Sequence, residues 1–287
     1  MKRIRKPNFD PAVVLDTCTS GINDPELATR FNAARPYLLA KFHDYERCAD
    51  AHNLFSFDAC SWGNETQVVV ADMSKKELVD LYSDQMVASS KPGRKQYDSL
   101  MMLAPLGKCP FCGFGQVSTL DHFLSKSRYP AFSVLTFNLI PSCSDCNTGK
   151  GSSVLENGTQ ILHPYYEDAV VETVPWLFSE LIESVPATVR YFVQPPTDWS
   201  ADLTIRVTNH FRDLELAKRF GVEAASELAS LSDILDTLET SDAREIHLLS
   251  ISRVERKKRT NTWRAALYEA VAGSAWYKND GFRNPNL

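Results

Sequence analysis

Two pairs of cysteines constrain this chain more than any other feature of its sequence. The pairs are Cys109-Pro-Phe-Cys112 and Cys143-Ser-Asp-Cys146, and thirty residues separate them. Because a two-residue gap lets both sulfurs of a pair reach one ion at about 2.3 Å, this pattern is typical of tetrahedral Zn²⁺. Four thiolates close the coordination sphere, so we expect a structural zinc that holds a small segment in shape. The alternative is four unrelated buried cysteines.

The other cysteines and the apolar pattern bear on where the protein acts. The chain of 287 residues has seven cysteines, an odd number that argues against a fully paired disulfide framework. No apolar run reaches the length of about 20 residues that a bilayer requires, and the basic start has no apolar stretch after it. The sequence therefore predicts a cytoplasmic protein. We expect Cys18, Cys48 and Cys60, which lack metal spacing, to be small buried apolar residues.

Charge is unevenly distributed along the chain. The net charge of −5 does not indicate a nucleic-acid-binding protein. However, residues 88–150 carry seven basic and three acidic residues, and residues 253–264 carry six basic residues and one acid. Because phosphate binding depends on local potential, either segment can contact nucleic acid. Each can equally be a solvated helix face.

Apolar spacing and turn residues predict helices on both sides of the cysteine-rich centre. Residues 9–52 have a mostly helical pattern, with Pro25 and Pro36 where helices begin or end. The pattern Ser74-Lys-Lys-Glu77 is typical of a capping box and predicts a helix that extends to about Ser89. Residues 211–272 carry apolar side chains at three-and-four spacing, which also predicts helix.

Alternating side chains predict short strands, and the whole pattern predicts an α+β fold. The strand candidates are residues 67–71, Thr188–Val193 and Leu203–Thr208. We expect three parts: a helical N-terminal region (residues 1–102), a zinc-bound central domain (103–165) and a C-terminal α+β or helical region (166–287).

The central segment also carries polar residues in a distinctive order. Asp121-His122 lies between the cysteine pairs, Asn138 follows sixteen residues after His122, and Asn147 directly follows the last cysteine. This order resembles the HNH endonuclease family, in which paired CxxC zinc knuckles are common. The resemblance covers about 45 of the 287 residues. It implies a ββα-metal core, which is a two-stranded hairpin, a connecting loop and one helix around a divalent ion.

The resemblance implies a role for each of these residues. His122 matches the general base, since an imidazole with an ordinary pKa of about 6.5 can take a proton from water at neutral pH. Asp121 and Asn147 match ligands of a catalytic Mg²⁺ or Mn²⁺ ion. Asn147 stands where many members carry the final histidine of the motif, which favours an all-oxygen site. Asn138 matches the asparagine that braces the loop and orients the histidine.

Four further residues are candidates for contact with nucleic acid. Lys126, Arg128 and Lys150 lie beside the motif in sequence and are plausible phosphate contacts. His163, in the segment His163-Pro-Tyr-Tyr, follows the motif closely. The alternatives are ordinary surface charges for the first three, and a histidine held before proline in a packed turn for His163.

These observations lead to one functional expectation and two alternatives. The resemblance implies a metal-dependent endonuclease that hydrolyses phosphodiester bonds, in most of the family those of DNA. The chain also resembles HNH nucleases of bacterial anti-phage defence systems, which implies a protein partner such as an ATPase or a sensor that gates the nuclease. The alternatives are a catalytically silent zinc-binding adaptor and a nuclease that acts on RNA.

Overall fold

Capping side chains determine where the first helices begin. Asp10 accepts a hydrogen bond from the backbone N–H of Ala12, and Asp24 accepts from Glu26 and Leu27. A proline follows each aspartate at the first helical position, where its missing N–H carries no cost. These local signals fix the starts of helices α1 (Pro11–Ser20) and α2 (Pro25–Asp50).

The computed structural model describes residues 1–283, and these residues form two compact units, residues 2–167 and residues 168–283. After α1 and α2, the first unit contains strands β1 (Val68–Val70) and β2 (Met73–Ser74), helices α3 (Lys75–Asp80) and α4 (Arg94–Met101), strands β3 (Thr119–His122) and β4 (Leu139–Ser142), and helix α5 (Ser144–Lys150). The predicted boundary between an N-terminal region ending at residue 102 and a central domain beginning at residue 103 stays a prediction.

The second unit begins with the short helix α6 (Val170–Thr173). Strands β5 (Leu177–Ile182) and β6 (Thr188–Val193) follow, and then helices α7 (Ala201–Asp213), α8 (Leu216–Asp236), α9 (Ser241–Lys258) and α10 (Trp263–Gly273). Helix α10 packs against β5, and α8 packs against β6. With three two-stranded antiparallel sheets among its helices, the described part of the chain confirms a mixed α+β fold.

The predicted helix boundary at Pro36 is wrong. Pro36 lies inside α2, which continues from Pro25 to Asp50. The buried face of this helix includes Phe31 before the proline and Leu38 and Tyr45 after it. Packing on both sides of Pro36 therefore keeps the helix continuous, although proline removes one backbone hydrogen bond.

The capping box at Ser74 is confirmed. The Ser74 hydroxyl accepts from the backbone N–H of Glu77, and the Glu77 carboxylate accepts from the backbone N–H of Ser74 at 2.8 Å. The helix that begins here continues from α3 into a wider π-helical segment, Leu81–Val87. Tyr82 in this segment is buried and belongs to the surroundings of His122 described below.

The strand predicted at Leu203–Thr208 is also wrong, because these residues lie in α7. The Ser200 hydroxyl accepts from the backbone N–H of Leu203 and caps this helix. Burial then follows helical spacing, with Val207 and His210 inside, while Ile205 is 41% exposed. The strand at Thr188–Val193 is confirmed, but its partner is β5, which the sequence pattern did not predict.

Three of the six basic residues in the second basic segment form ion pairs within their own unit. Arg264 lies 2.5 Å from a carboxylate oxygen of Glu227, and Lys258 lies 3.1 Å from Glu255. Arg256 forms a further ion pair with Glu269. These contacts fit the alternative that residues 253–264 form a solvated helix face and not a contact with nucleic acid. Among residues 1–283, no helix combines the length and apolar character that crossing a membrane requires.

Candidate functional site

The two CxxC pairs come together in one buried cluster. The sulfur atoms of Cys109, Cys112, Cys143 and Cys146 all lie within 4.8 Å of one another, and those of Cys112 and Cys143 are 3.9 Å apart. Sulfurs that bind one zinc tetrahedrally lie about 3.8 Å apart, whereas a disulfide needs about 2.05 Å. The four thiols therefore fit a structural zinc ion, and the predicted cluster is confirmed.

Two glycines shape the turn that follows the first cysteine pair. Gly113 has φ of +82°, a left-handed conformation that favours glycine. Gly115 approaches the cluster so closely that a Cβ atom added there would lie 2.8 Å from Cys143 Sγ. The backbone N–H of Gly115 also donates to Cys112 Sγ at 3.3 Å. The turn thus depends on residues without side chains at these two positions.

We expect the Gly115→Ala variant to bind zinc more weakly, because the added methyl group displaces Cys143 Sγ from the cluster. Zinc release into a chromogenic chelator measures this effect, and we expect release to be at least about 10-fold faster than from the unmodified protein. Gly221→Ala serves as a control, since nothing lies within 4 Å of a Cβ at Gly221. Equal release rates for both variants would contradict the tight approach at Gly115.

Strands β3 and β4 carry the Asp-His pair to the cysteine cluster. They pair antiparallel, with Asp121 opposite Ile140 and His122 opposite Leu139. Helix α5 begins directly after β4, with Cys143 at its N-cap position, and packs against β3. The sequence order strand, loop, strand, helix therefore brings Asp121 and His122 at the end of β3 beside α5.

Asp121 is a buried carboxylate with one cationic neighbour. It is 3% exposed, and burial raises its pKa to about 6, while the nearby Lys150 ammonium opposes this rise. Lys150 Nζ lies 3.3 Å from Asp121 Oδ2 and donates to the carbonyl oxygens of His122 at 2.5 Å and Phe123 at 2.9 Å. Within residues 1–283, the Lys150 ammonium is the one polar contact described for Asp121 Oδ2. This oxygen fits a further cation.

His122 is buried and held in one orientation. Its Nε2 donates to the carbonyl oxygen of Ser133 at 2.9 Å, so the neutral ring carries its proton on Nε2 and leaves a lone pair on Nδ1. Burial lowers the pKa of His122 to about 3, and the charges of Lys126 and Lys150 act in the same direction. The Tyr82 ring packs edge-on against the imidazole, with 4.4 Å between ring centroids. The imidazole is therefore neutral at neutral pH.

Asn138 braces the loop that joins β3 to β4. Its Oδ1 accepts from the backbone N–H of Leu124 at 2.7 Å, and its Nδ2 donates to the carbonyl oxygens of Leu124 at 3.0 Å and Phe132 at 3.2 Å. The Tyr45 hydroxyl donates to the same Oδ1 at 3.1 Å. The side chain is fully buried. Asn138 thus ties both ends of the loop together and lies too deep to touch substrate.

We expect Asn138→Ala to lower the free energy of unfolding of the first unit by roughly 3 kcal/mol, since it leaves several buried polar groups without partners. Urea unfolding followed by fluorescence measures this change. The control is Asn32→Ala on the exposed face of α2, for which we expect a change within about 0.5 kcal/mol. Equal effects of the two substitutions would contradict the bracing role.

His163 does not occupy the expected position for contact with nucleic acid. It is 1% exposed, and burial lowers its pKa well below the ordinary value. Its Nδ1 accepts from the backbone N–H of Tyr165 at 3.2 Å, so Nε2 carries the proton and donates to the Tyr45 hydroxyl at 3.2 Å. Tyr45 in turn donates to Asn138. His163 therefore supports the brace from within a packed turn, as the structural alternative predicts.

The other candidate residues lie around this centre at different depths. Asn147 is half-buried on α5, and its side chain forms no hydrogen bond within residues 1–283. Lys126 is half-buried, with Nζ 4.7 Å from the centroid of the Tyr82 ring and 3.4 Å from the Ser83 hydroxyl. Arg128 lies close to Cys60, whose backbone N–H donates to the Arg128 carbonyl oxygen at 2.7 Å. The positive charge of Lys126 acts on His122 and contributes to the lowered pKa of the imidazole.

Three residues of the site were missed by the sequence analysis. Tyr45 belongs to α2 and contacts Asn138, which is 93 positions later in the chain. Tyr82 packs on His122 from the π-helical segment, and Ser133 orients the imidazole through its backbone carbonyl. No local sequence signal marks these residues, because their contacts depend on the packing of distant segments and, for Ser133, on a backbone atom.

Comparison with known proteins gives one informative relationship. Protein ea31 of Escherichia phage lambda is 31% identical to this chain over 234 residues, which are 80% of this chain and 79% of the phage protein. No protein-family model matches the chain, and no solved structure matches it. The identity extends far beyond the central segment and covers most of both proteins. The chain therefore belongs to the same protein family as protein ea31 of Escherichia phage lambda.

Proposed function

We propose that this protein is a metal-dependent endonuclease of the HNH type, which hydrolyses phosphodiester bonds in nucleic acid. The observation that carries the proposal is a neutral, oriented imidazole at the end of β3, next to a buried carboxylate in Asp121. The succession of β3, β4 and α5 around a four-cysteine cluster supports the ββα-metal architecture that the motif implies. A zinc-binding segment alone would need neither His122 nor Asp121.

The residues present fit a divalent ion on the Asp121 side of this site. Asp121 offers a buried oxygen whose one described polar contact is the Lys150 ammonium at 3.3 Å, and the half-buried Asn147 offers an amide oxygen on the adjoining helix α5. Carboxylate and amide oxygens are suitable ligands for Mg²⁺ or Mn²⁺. When bound, such an ion would offset the negative charge that develops on the phosphate and on the leaving oxygen.

The chain itself positions the groups that move the proton. The Ser133 carbonyl fixes the proton of His122 on Nε2, so Nδ1 can accept a proton from a water molecule that attacks the phosphorus in line with the leaving oxygen. Asn138 holds the loop that carries Ser133, since it donates to the neighbouring carbonyl of Phe132. Lys126, close to the Tyr82 ring, places positive charge near this centre and is suited to a phosphate contact.

A cleavage assay tests this proposal directly. The purified protein, with its zinc retained, is incubated with Mg²⁺ or Mn²⁺ and with supercoiled plasmid, single-stranded DNA or total tRNA. We expect metal-dependent cleavage that EDTA prevents, with DNA as the substrate. Cleavage of tRNA alone would assign the activity to RNA instead. If neither the isolated chain nor its complex with a partner cleaves any substrate, the result would favour the silent zinc-binding adaptor.

The relationship to a phage protein supports a phage-related role for this chain, and we propose a more specific one. The resemblance to nucleases of anti-phage systems implies an effector that a partner protein, such as an ATPase or a sensor, keeps under control. Affinity purification from the native host, followed by the cleavage assay, tests this idea. We expect the complex to cleave faster than the isolated chain. Equal rates for the two preparations would exclude gating by that partner.

A further inference from the structure

An exposed leucine occupies the tip of a turn in the first unit. Leu106 is 95% exposed, and its φ of +59° lies in the left-handed region. Gly107 follows with φ of +65°, and the backbone N–H of Lys108 donates to the carbonyl oxygen of Pro105 at 3.2 Å. This is a type I′ turn, which favours asparagine, aspartate or glycine where Leu106 stands, because a Cβ atom makes the left-handed conformation unfavourable. Leu106 gains no burial that would offset this conformation.

The cysteine cluster holds the turn in place. The carbonyl oxygen of Gly107 accepts from the backbone N–H of Val117 at 2.9 Å, and the backbone N–H of Cys109 donates to the carbonyl oxygen of Gly115 at 2.8 Å. Leu106 thus lies three residues before a cysteine of the cluster. A side chain on such a fixed support loses little freedom on binding a partner. Unfavourable backbone conformations in a well-supported segment are typical of ligand-binding positions.

A second exposed apolar side chain, Met102, lies four residues before the leucine. It is 83% exposed and lines a surface depression together with Lys91 and Lys95. Arg94 and Asp98 line the same depression, but they pair with each other at 2.8 Å. The Lys91 ammonium donates to a backbone carbonyl oxygen, which leaves its charge uncompensated. The depression therefore combines an apolar side chain with net positive charge.

Lys108 adds positive charge beside the turn, since it directly follows Gly107 and is exposed. Within the described part of the chain, the ammonium groups of Lys95 and Lys108 form no hydrogen bond or ion pair. Exposed lysines next to exposed apolar side chains complement a polyanion that also offers apolar surface. Duplex DNA is such a partner, because its phosphates attract lysine and its base steps accept inserted leucine or methionine side chains.

The turn also lies within reach of the nuclease-like centre along one duplex. Val117, which contacts Gly107, lies five residues before His122 in the chain. Because an extended chain rises about 3.3 Å per residue, the Leu106 and His122 backbones are at most about 25 Å apart. One turn of duplex DNA is about 34 Å long. A duplex bound at the turn can therefore extend to His122.

We propose that Met102 and Leu106 form an apolar wedge that contacts the bases of duplex DNA in a groove, while Lys95 and Lys108 contact its phosphates. The choice of nucleic acid as the ligand rests on the proposed function. The wedge adds to that function a recognition surface outside the site of cleavage. It also gives a role to a leucine whose exposure and backbone conformation do not benefit the fold.

Fluorescence anisotropy with a labelled DNA duplex two helical turns long tests the proposal. The full chain keeps its zinc, and no other divalent ion is added, so that binding is measured without cleavage. We expect saturable binding that Leu106→Asn weakens by about 10-fold. Because asparagine tolerates the left-handed conformation, the thermal midpoint of this variant should not fall. The matched control is Val13→Asn at a 57% exposed position on α1, which should change the dissociation constant by less than about twofold.

The salt dependence of binding separates the two kinds of contact. We expect Lys95→Met to reduce the slope of log K against log salt concentration by about 1, whereas Leu106→Asn leaves the slope unchanged. No duplex binding by the unmodified chain up to about 100 μM, or equal binding by Leu106→Asn, would overturn the proposal. Weaker binding together with a lower thermal midpoint in Leu106→Asn would make the leucine structural and also overturn it. Duplex binding that requires Leu106 in a chain without nuclease activity would support the wedge and contradict the proposed function.

Discussion

We expect the His122→Ala variant to lose nucleic-acid cleavage almost completely, with a rate at least about 10²-fold and up to about 10⁴-fold below that of the unmodified protein. The reason is that the Nδ1 atom of His122 is the one group at the end of β3 proposed to accept the proton of the attacking water. The Ser133 carbonyl fixes the other nitrogen as a donor. Alanine leaves Asp121 and Asn147, the proposed metal ligands, in place but provides no proton acceptor. Single-turnover cleavage in excess Mg²⁺ measures the rate.

The control for this experiment separates lost chemistry from lost structure. His43→Ala removes an exposed histidine from α2 in the same unit and should leave the rate unchanged. Zinc content and the thermal midpoint of His122→Ala are measured alongside, since the imidazole also packs against Tyr82. A folded, zinc-loaded His122→Ala variant that still cleaves at the original rate would show that the general base is another residue.

The second large effect concerns the cysteine cluster. We expect Cys146→Ala to reduce zinc content from one ion per chain towards zero and to abolish the cooperative unfolding transition of the first unit. Binding of structural zinc contributes on the order of 10 kcal/mol in small zinc domains, which is comparable to the whole stability of an ordinary domain. Once the ion is lost, no cation compensates the negative charge of the three remaining buried thiolates, so they must bind protons instead. Atomic absorption spectroscopy and thermal unfolding measure the two effects.

A cysteine outside the cluster provides the matched control. Cys48 in α2 is 6% exposed and lies outside the metal cluster, so Cys48→Ala should retain zinc and cost no more than the loss of a small buried side chain, about 1 kcal/mol. The two substitutions remove the same atom from buried positions, and only one removes a ligand. Full zinc content and unchanged stability in Cys146→Ala would refute the metal assignment.

Local signals in the sequence predicted a large part of the fold. The Ser74–Glu77 capping box, the helix start at Pro25 and the strand Thr188–Val193 are all present, because each depends on neighbouring residues or on a short periodic pattern. The cysteine cluster was predictable for a similar reason. Two CxxC turns each bring a pair of sulfurs together locally, and a single ion then selects the arrangement of both pairs.

The two errors have different physical origins. Alternation of apolar residues at Leu203–Thr208 suggested a strand, but the Ser200 cap and the burial of Val207 and His210 make these residues helical. Pro36 suggested a helix end, but burial on both sides keeps α2 continuous. At Pro36 a local preference was overridden by packing against residues that are distant in sequence. At Leu203–Thr208 the Ser200 cap is a local helix signal that the alternating pattern outweighed in the prediction, and burial at helical spacing agrees with that cap.

The sequence by itself determined which chemical groups this protein can use: four thiols at metal-binding spacing, an Asp-His pair between the two cysteine pairs, and two asparagines in fixed order. Only the tertiary structure decided how those groups are held. It assigned the proton of His122 through the Ser133 carbonyl, connected Asn138 to His163 through Tyr45, and placed Lys150 beside Asp121. These contacts join a helix, a loop and a turn that are far apart along the chain. Orientation and protonation depend on burial and on such contacts, and both arise only when the chain is folded.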